Sequence, residues 1–440
     1  MITFVSIFLG LVLGPQTVSV VVADPEVASV VFALDGRTVA RLDAPPWATE
    51  IDLGPKLVPH ELIALGVDAE GTEIARARQW INLPRVPTET RLTVASGEDG
   101  AGSIASLSWQ SLETSEQPTL SVTLDGEPLG FTDPAAIALP ALIPEELHFL
   151  RAEVRFDSQL PSVAELTLGG DGYFDQVTAD LTAIPVKLVR GGELPALDAL
   201  AGWFEKGGEP LRVVAAEREL ADIVIVADPT AREDLLDWYG NEASRARAAR
   251  RSAPGARSGK DGGASDWQLE FLWPFSLPGE DGDQRYELFP HSRPLSADDG
   301  RLLQMLVWAR PPADLPPHKR LADAVAVAGV SAAAGRHRRV VILLLGSEQG
   351  DDSDLTPKLV SHYLEQLQVP LVVWSTDADP SPEAEAWGRV IDVSNRFRLE
   401  GAWKRVRKEL GEHRIVWIEG VHLPHEIRLT DAAEGIILVR

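Results

Sequence analysis

The chain has 440 residues, no cysteine and a formal net charge of -25. Its length exceeds one ordinary core and predicts two to four domains, and an apolar share of 45% with 24% charged residues is that of a folded protein. The missing cysteines exclude disulfides, thiolate catalysis and Cys-ligated metal, and the negative charge excludes a general nucleic-acid binder, because phosphates would be repelled.

The N-terminal stretch "MITFVSIFLGLVLGPQTVSVVV" carries an apolar run, yet no Lys or Arg precedes it and no small-x-small cleavage site follows cleanly. Gly14, Pro15 and Gln16 interrupt the run well short of a membrane span. The pattern predicts two β-strands around a "GPQ" turn; a signal or anchor is the competing reading of the same residues. From 17 to 85 short strands alternate with turn signals, among them the hairpin dipeptide Asp35-Gly36 in "VVFALDGRTVA". Strands at this spacing, with no helical period between them, predict a β-sandwich over 1–86, closed by Pro84 and Pro87. Residues 87–187 repeat the plan: "LSVTLDGEPLG" mirrors "VVFALDGRTVA", and "PEELHFLRAEVRF" mirrors "PHELIALGVDA". A second sandwich is expected there, and both copies resemble bacterial immunoglobulin-like modules.

Residues 188–220 predict a bridging segment of strand, short helix and strand. From 221 to 440 strands and helices alternate, the grammar of a mostly parallel sheet flanked by helices. Expected strands are "DIVIVAD", "RRVVILLLG", "VPLVVWST" and a final "HRIVWIEG". "HKRLADAVAVAGVSAAAG", "TPKLVSHYLEQLQ" and "LEGAWKRVRKELG" are expected helices, the second opened by Thr356-Pro357. "WQLEFLWPF" and "QRYELFP" predict a hairpin. The stretch 241–265 is poor in apolar residues and carries Arg245, Arg247, Arg250, Arg251, Arg257 and Lys260. It is expected to be a solvated, flexible insertion or a basic arm for an acidic partner. Most of the twelve tryptophans fall in apolar strands or linkers and predict packing; Trp238 stands apart as a candidate recognition residue.

"IVIVADPTA", "KRLADAVAVAG" and "RRVVILLLGSEQGDDSD", followed by "VPLVVWS" and "WGRVIDVSNRFRLEGAWKRVRKELG", resemble in their order a von Willebrand factor A (VWA) domain, which implies a Rossmann-type α/β fold over 221–440. The resemblance also implies a Mg²⁺ or Mn²⁺ site built by three loops of hard oxygen donors. The first loop, Asp-x-Ser-x-Ser in the family, is here Asp228-Pro229-Thr230-Ala231-Arg232. Lys319 stands where the second loop has Thr, and Gly346 or Ser347 where the third has Asp. Only Asp228 and Thr230 remain as metal donors, so no resident cofactor is expected, and Arg232 or Lys319 is expected to neutralise Asp228. The remnant surface comprises Asp228, Thr230, Arg232, Lys319, Ser347 and Trp238.

Asp351, Asp352 and Asp354 in "GDDSD" are a weaker Ca²⁺ candidate, without the Gly and distal Glu of an EF-hand loop. His422, His425 and Glu426 are the one local suggestion of hydrolytic chemistry, and no catalytic residue is assigned. The expected function is non-catalytic protein–protein interaction or scaffolding, with no nucleic acid, no spanning segment and an unspecified protein partner. The alternatives are a Mg²⁺- or Mn²⁺-dependent adhesion domain that binds a partner carboxylate through Asp228, and a hydrolase. The resemblance implies an extracytoplasmic location.

Overall fold

The computed structural model describes the chain except residues 1, 7, 9, 84–87, 96–102, 112–116, 143–147, 157–160, 169–180, 190–191, 219, 237–266, 279–285, 293, 297–304, 307–318, 348–349 and 440. It divides into two compact units, Met1–Pro84 and Arg85–Arg440. In the first unit, Ile2–Phe4, Pro15–Val22 and Ala48–Asp52 form one antiparallel sheet. A second sheet runs in the order Arg37–Leu42, Ser29–Leu34, His60–Val67, Glu73–Ile81. Alternating residues of each sheet face the other, so Val18 and Val20 meet Val30, Phe32, Leu62 and Ile81 in one sandwich core. The N-terminal residues pair as strands, Ile2 opposite Val22. Asn82 fastens the loop between them: its side chain accepts from Val12 N–H at 2.8 Å and donates to the Val12 and Val58 carbonyls.

The second unit opens with another antiparallel sandwich. Thr88–Ala95, Ile104–Ser111 and Ile137–Ala138 form one sheet, and Thr119–Leu124, Glu127–Pro128, His148–Arg155 and Ser162–Leu168 the other. Its core joins Leu107 and Ile137 to Val122, Leu150 and Val154. The repeat seen in the sequence is also a repeat of hydrogen bonds. Asp35 (φ 50°) and Asp125 (φ 52°) sit left-handed before Gly36 and Gly126, as a tight hairpin turn requires. Asp35 accepts from Glu61 N–H at 2.9 Å and meets His60 Nδ1 at 2.7 Å. Asp125 likewise accepts from Phe149 N–H and meets His148 Nδ1, both at 2.7 Å. One aspartate thus shapes the turn and clasps the strand that follows.

Beyond residue 168 the strand pairing departs from the boundaries expected at 187, 188–220 and 440. Leu181–Leu188 pairs with His413–Glu419 and Ile436–Leu438, and Val213–Glu217 pairs with the other edge of His413–Glu419. "HRIVWIEG" is therefore an antiparallel strand beside the supposed bridging segment and takes no part in the parallel sheet. A smaller sheet of Phe204–Lys206, Glu209–Pro210 and Ile427–Leu429 packs against it through Ile184, Val186, Phe204, Val416, Ile418, Ile427 and Ile436. This is a third β-sandwich, assembled from 181–217 and 413–438. Its hairpin repeats the second module's "GEPL" as Gly208-Glu209-Pro210-Leu211, and Leu211 N–H donates to Phe204 O at 2.8 Å just as Leu129 N–H does to Val122 O. Sequence separation hid it: the two halves lie on either side of the α/β region, which is inserted between neighbouring strands.

The inserted region forms a six-stranded sheet in the order Leu295–Ser296, Trp267–Leu272, Ala221–Ala227, Arg338–Leu345, Leu371–Ser375, Val390–Asp392. All but Leu295–Ser296 run parallel. Numbered along the chain, the parallel strands lie 2-1-3-4-5, an order found in open doubly wound sheets. The expected hairpin is confined to Ser276–Pro278 and Tyr286–Leu288, while Trp267–Leu272 joins the parallel sheet. Helices Leu321–Ala334 and Pro357–Gln366 pack together, with Gly329 leaving room for Leu364 where a Cβ would come within 2.7 Å. Thr356 caps the second of these by accepting from Leu359 N–H. Arg396–Gly411 lays Leu399, Trp403, Val406 and Leu410 on Ile223, Ile225, Val340 and Ile342. Consecutive strand residues point to opposite faces, and the Arg338–Arg339 pair uses this. Arg338 donates to Leu410 O at 2.9 Å and Arg339 to Leu367 O at 3.1 Å, so each satisfies carbonyls at the end of a helix on its own face.

Candidate functional site

In the order 2-1-3-4-5 the chain reverses direction across the sheet between Ala221–Ala227 and Arg338–Leu345. The carboxyl ends of those two strands are the customary place for a ligand crevice. The loops that leave them hold Asp228, Thr230 and Arg232 on one side and Gly346 and Ser347 on the other.

Asp228 is 1% exposed, and residues 229–236 are helical. Asp228 is therefore the N-cap and Pro229 the first helical residue, a favoured pairing. Its Oδ1 accepts from Thr230 N–H at 3.0 Å and from the Thr230 hydroxyl at 2.9 Å. Its Oδ2 accepts from Lys319 Nζ at 2.6 Å. Of the two candidate cations, Lys319 contacts this carboxylate directly; half-buried Arg232 lies one turn along the helix. Both oxygens of Asp228 and the hydroxyl of Thr230 are engaged within the protein.

The opposite loop closes the crevice. A Cβ on Gly346 would stand 2.0 Å from Thr230 Oγ1 and 2.3 Å from Ala231 N, so only glycine allows the loops to meet. Ser347 donates its N–H and hydroxyl to Asp234, each at 3.1 Å. The Thr376 hydroxyl donates to Asp234 at 2.5 Å. Asp234 thereby ties the loops after Leu345 and Ser375 to the helix that Asp228 caps. Sequence reasoning missed Asp234 and Thr376; the available signal was a second aspartate six residues after Asp228, on the same short helix. Trp238 and the basic segment 241–265 lie outside the described residues.

The "GDDSD" carboxylates serve a different purpose. Helix Leu321–Ala334 has no side-chain cap of its own, and Asp351 accepts from the Leu321 and Ala322 amides at 2.8 and 3.2 Å. Ser353 Oγ accepts from Asp323 N–H, while Asp323 accepts from the Asp354 and Leu355 amides. Arg320 pairs with both Asp323 and Asp354. The loop is a helix cap supplied from elsewhere in the chain. His422 and Glu426 do not converge on a shared point: His422 Nε2 meets Glu419 O at 2.8 Å and Glu426 pairs with Lys206 at 2.6 Å. Among the described residues, no three His, Asp or Glu side chains form a metal-holding group, and no helix is long and apolar enough to cross a membrane.

No family model matches the chain, and no curated protein matches it. Among solved structures it is similar to fibronectin(III)-like modules of Clostridium thermocellum CbhA, at 14% identity over 18% of this chain and 93% of that one, with a TM-score of 0.17. The central fibronectin-III array of RIM-binding protein is 14% identical over 49% of this chain and 80% of that chain, TM-score 0.20. Proximal thread matrix protein 1 from the mussel byssus is 11% identical over 51% of this chain and 50% of that chain, TM-score 0.25. These likenesses are loose, and the strand pairings define the fold.

Proposed function

We propose that the chain is a non-catalytic interaction or scaffolding protein whose α/β region is VWA-like and works without a metal ion. The observation that carries this reading is the 2.6 Å contact between Lys319 Nζ and Asp228 Oδ2 at the switch point of the sheet. A divalent ion held as in that family would have to share the carboxylate with an ammonium already in contact with it. Two such charges a few ångströms apart repel by several kcal/mol at an effective dielectric of about 20. The remaining donors give no compensation, because Thr230 turns to Asp228 and Ser347 to Asp234. The buried ion pair holds the loops in one arrangement, which suits a fixed recognition surface better than a site that must exchange ligands.

The test is thermal unfolding of the full chain in EDTA, Mg²⁺ and Mn²⁺. The midpoint is expected to stay constant. A rise of several degrees with one ion, lost in Asp228→Ala, would establish metal-dependent binding and overturn the proposal. Turnover of ester or phosphate substrates that disappears in His422→Ala would overturn its non-catalytic part.

A further inference from the structure

The opposite end of the Ala221–Ala227 strand lies against the second sandwich, and the contact is built from buried charge. His337, 5% exposed, precedes the Arg338–Leu345 strand. Its Nδ1 lies 2.8 Å from Asp222 Oδ2 and its Nε2 lies 3.4 Å from Glu153 Oε2 of the second sandwich. Gly335 makes the approach feasible, since a Cβ there would stand 2.4 Å from Asp222 Oδ2. Arg151 of the sandwich, 3% exposed, donates to Gly335 O and lies 5.5 Å over the Trp417 ring of the third sandwich. Arg336 pairs with Glu165 at 2.5 Å. Arg155 pairs with Glu153 at 3.1 Å and approaches Glu270 at 3.9 Å, where His291 also meets Glu270 at 2.8 Å.

We propose that this seam is a proton-sensitive latch, in which His337, wedged between Asp222 and Glu153, sets how firmly the second sandwich is held to the α/β region. Among the described residues, Asp222, Glu153, Glu165 and Glu270 face the guanidiniums of Arg151, Arg155 and Arg336, with Arg339 close enough to act on Asp222. The imidazolium of His337 is the positive charge that joins the carboxylates on its two sides. Its deprotonation leaves Asp222 and Glu153 facing one another across a neutral ring, and buried like charges repel. The proton has a route, because Arg151, Glu153 and His337 line a cleft of about 270 Å³ walled by Val122, Leu129 and Phe131.

Burial, the largest influence, and the nearby Arg151 charge favour the neutral ring, but the charge and hydrogen bond of Asp222 together with Glu153 outweigh them and raise the His337 pKa above the ordinary imidazole value. For Asp222, burial acts upward, and the charge and hydrogen bond of His337 together with the Arg155 and Arg151 guanidiniums outweigh it, so its pKa is lowered. A raised imidazole pKa places the contribution of the seam below about 6.5, the unfolded value, and removes it as pH rises through the folded value. On the acid side the seam is lost as Asp222 protonates.

The experiment is amide hydrogen exchange on the full chain between pH 6 and 9, corrected for intrinsic rates. Protection of His148–Arg155 and of residues 335–337 is expected to fall on the order of tenfold over that range, relative to His60–Val67 of the first unit. In His337→Lys, which keeps a positive charge, the fall is expected to vanish. A wild-type seam with the same protection at both pH values would overturn the latch. So would a fall that persists unchanged in His337→Lys, or one equally large in the first unit.

Discussion

The Ala221–Ala227 strand begins and ends at a buried aspartate, and the two ends differ in what balances the charge. At its carboxyl end Asp228 meets the primary ammonium of Lys319 at 2.6 Å. At its amino end Asp222 meets His337, whose charge depends on pH. Each pair relies on a glycine, Gly346 above and Gly335 below, that lets the chain approach closely. The same device therefore uses a primary ammonium on the surface proposed for recognition and an imidazole at the junction with the neighbouring module. A buried carboxylate needs a cation, and the choice of cation decides whether the site is a fixture or a switch.

The sharpest way to break this comparison is to remove one cation. Lys319→Met leaves Asp228 buried and uncompensated, and a loss of about 3–5 kcal/mol is expected in urea unfolding. Adding Asp228→Asn should recover most of that loss; a double variant as unstable as the single one would show that Lys319 acts by packing and not by charge. The glycines come next. Gly346→Ala drives a Cβ into the backbone nitrogen of Ala231 as well as into Thr230, and about 1–3 kcal/mol is expected. Gly335→Ala meets first the tip of the Asp222 side chain, which can turn aside only by leaving His337, and a loss of about 1–3 kcal/mol is expected there too.

Smaller effects separate the two ends by pH. The stability lost by wild type between pH 6 and 9 should disappear in His337→Lys and persist undiminished in Lys319→Met. At low pH a different histidine takes over. His413 sits beside Lys187 and Arg338, and burial, helped by those cations, pushes its pKa from 6.5 down to about 3. The unfolded chain therefore takes up the proton first, and the His413 contribution to stability is whole above 6.5 and declines as pH falls toward about 3. His413→Leu is expected to flatten that decline, as read by urea midpoints at pH 7, 5 and 4; an unaltered slope would remove His413 from the account.

Local chemistry was legible in the sequence. The Asp35-Gly36 and Asp125-Gly126 turns, the Thr356-Pro357 helix start and the apolar strands at 221, 338 and 371 follow from rules that act over a few residues. The aligned positions of Asp228, Lys319 and Ser347 do meet at one corner of the sheet, with the Lys319 ammonium on Asp228. What was illegible depended on distant pairing. "HRIVWIEG" has the composition of a central strand in any sheet, and nothing local says that its neighbour is Leu181–Leu188. Nothing local in the run Arg336-His337-Arg338-Arg339 names the partners of its charges. Only the fold shows its four residues going to Glu165, to Asp222, and to the ends of two helices.

The insertion between Glu217 and His413 also bears on how the chain is made. Val213–Glu217 leaves the ribosome without its sheet partner, because the His413–Glu419 strand that pairs with it lies about 195 residues downstream. At a synthesis rate of roughly 5–20 residues per second, that interval is on the order of 10–40 s. During it the edges of the third sandwich's first half and its apolar side chains Ile184, Val186 and Phe204 stand open to any passing strand. A nascent chain stalled before residue 413 is expected to be the form most in need of a chaperone, and the strands within 413–438 are what closes it.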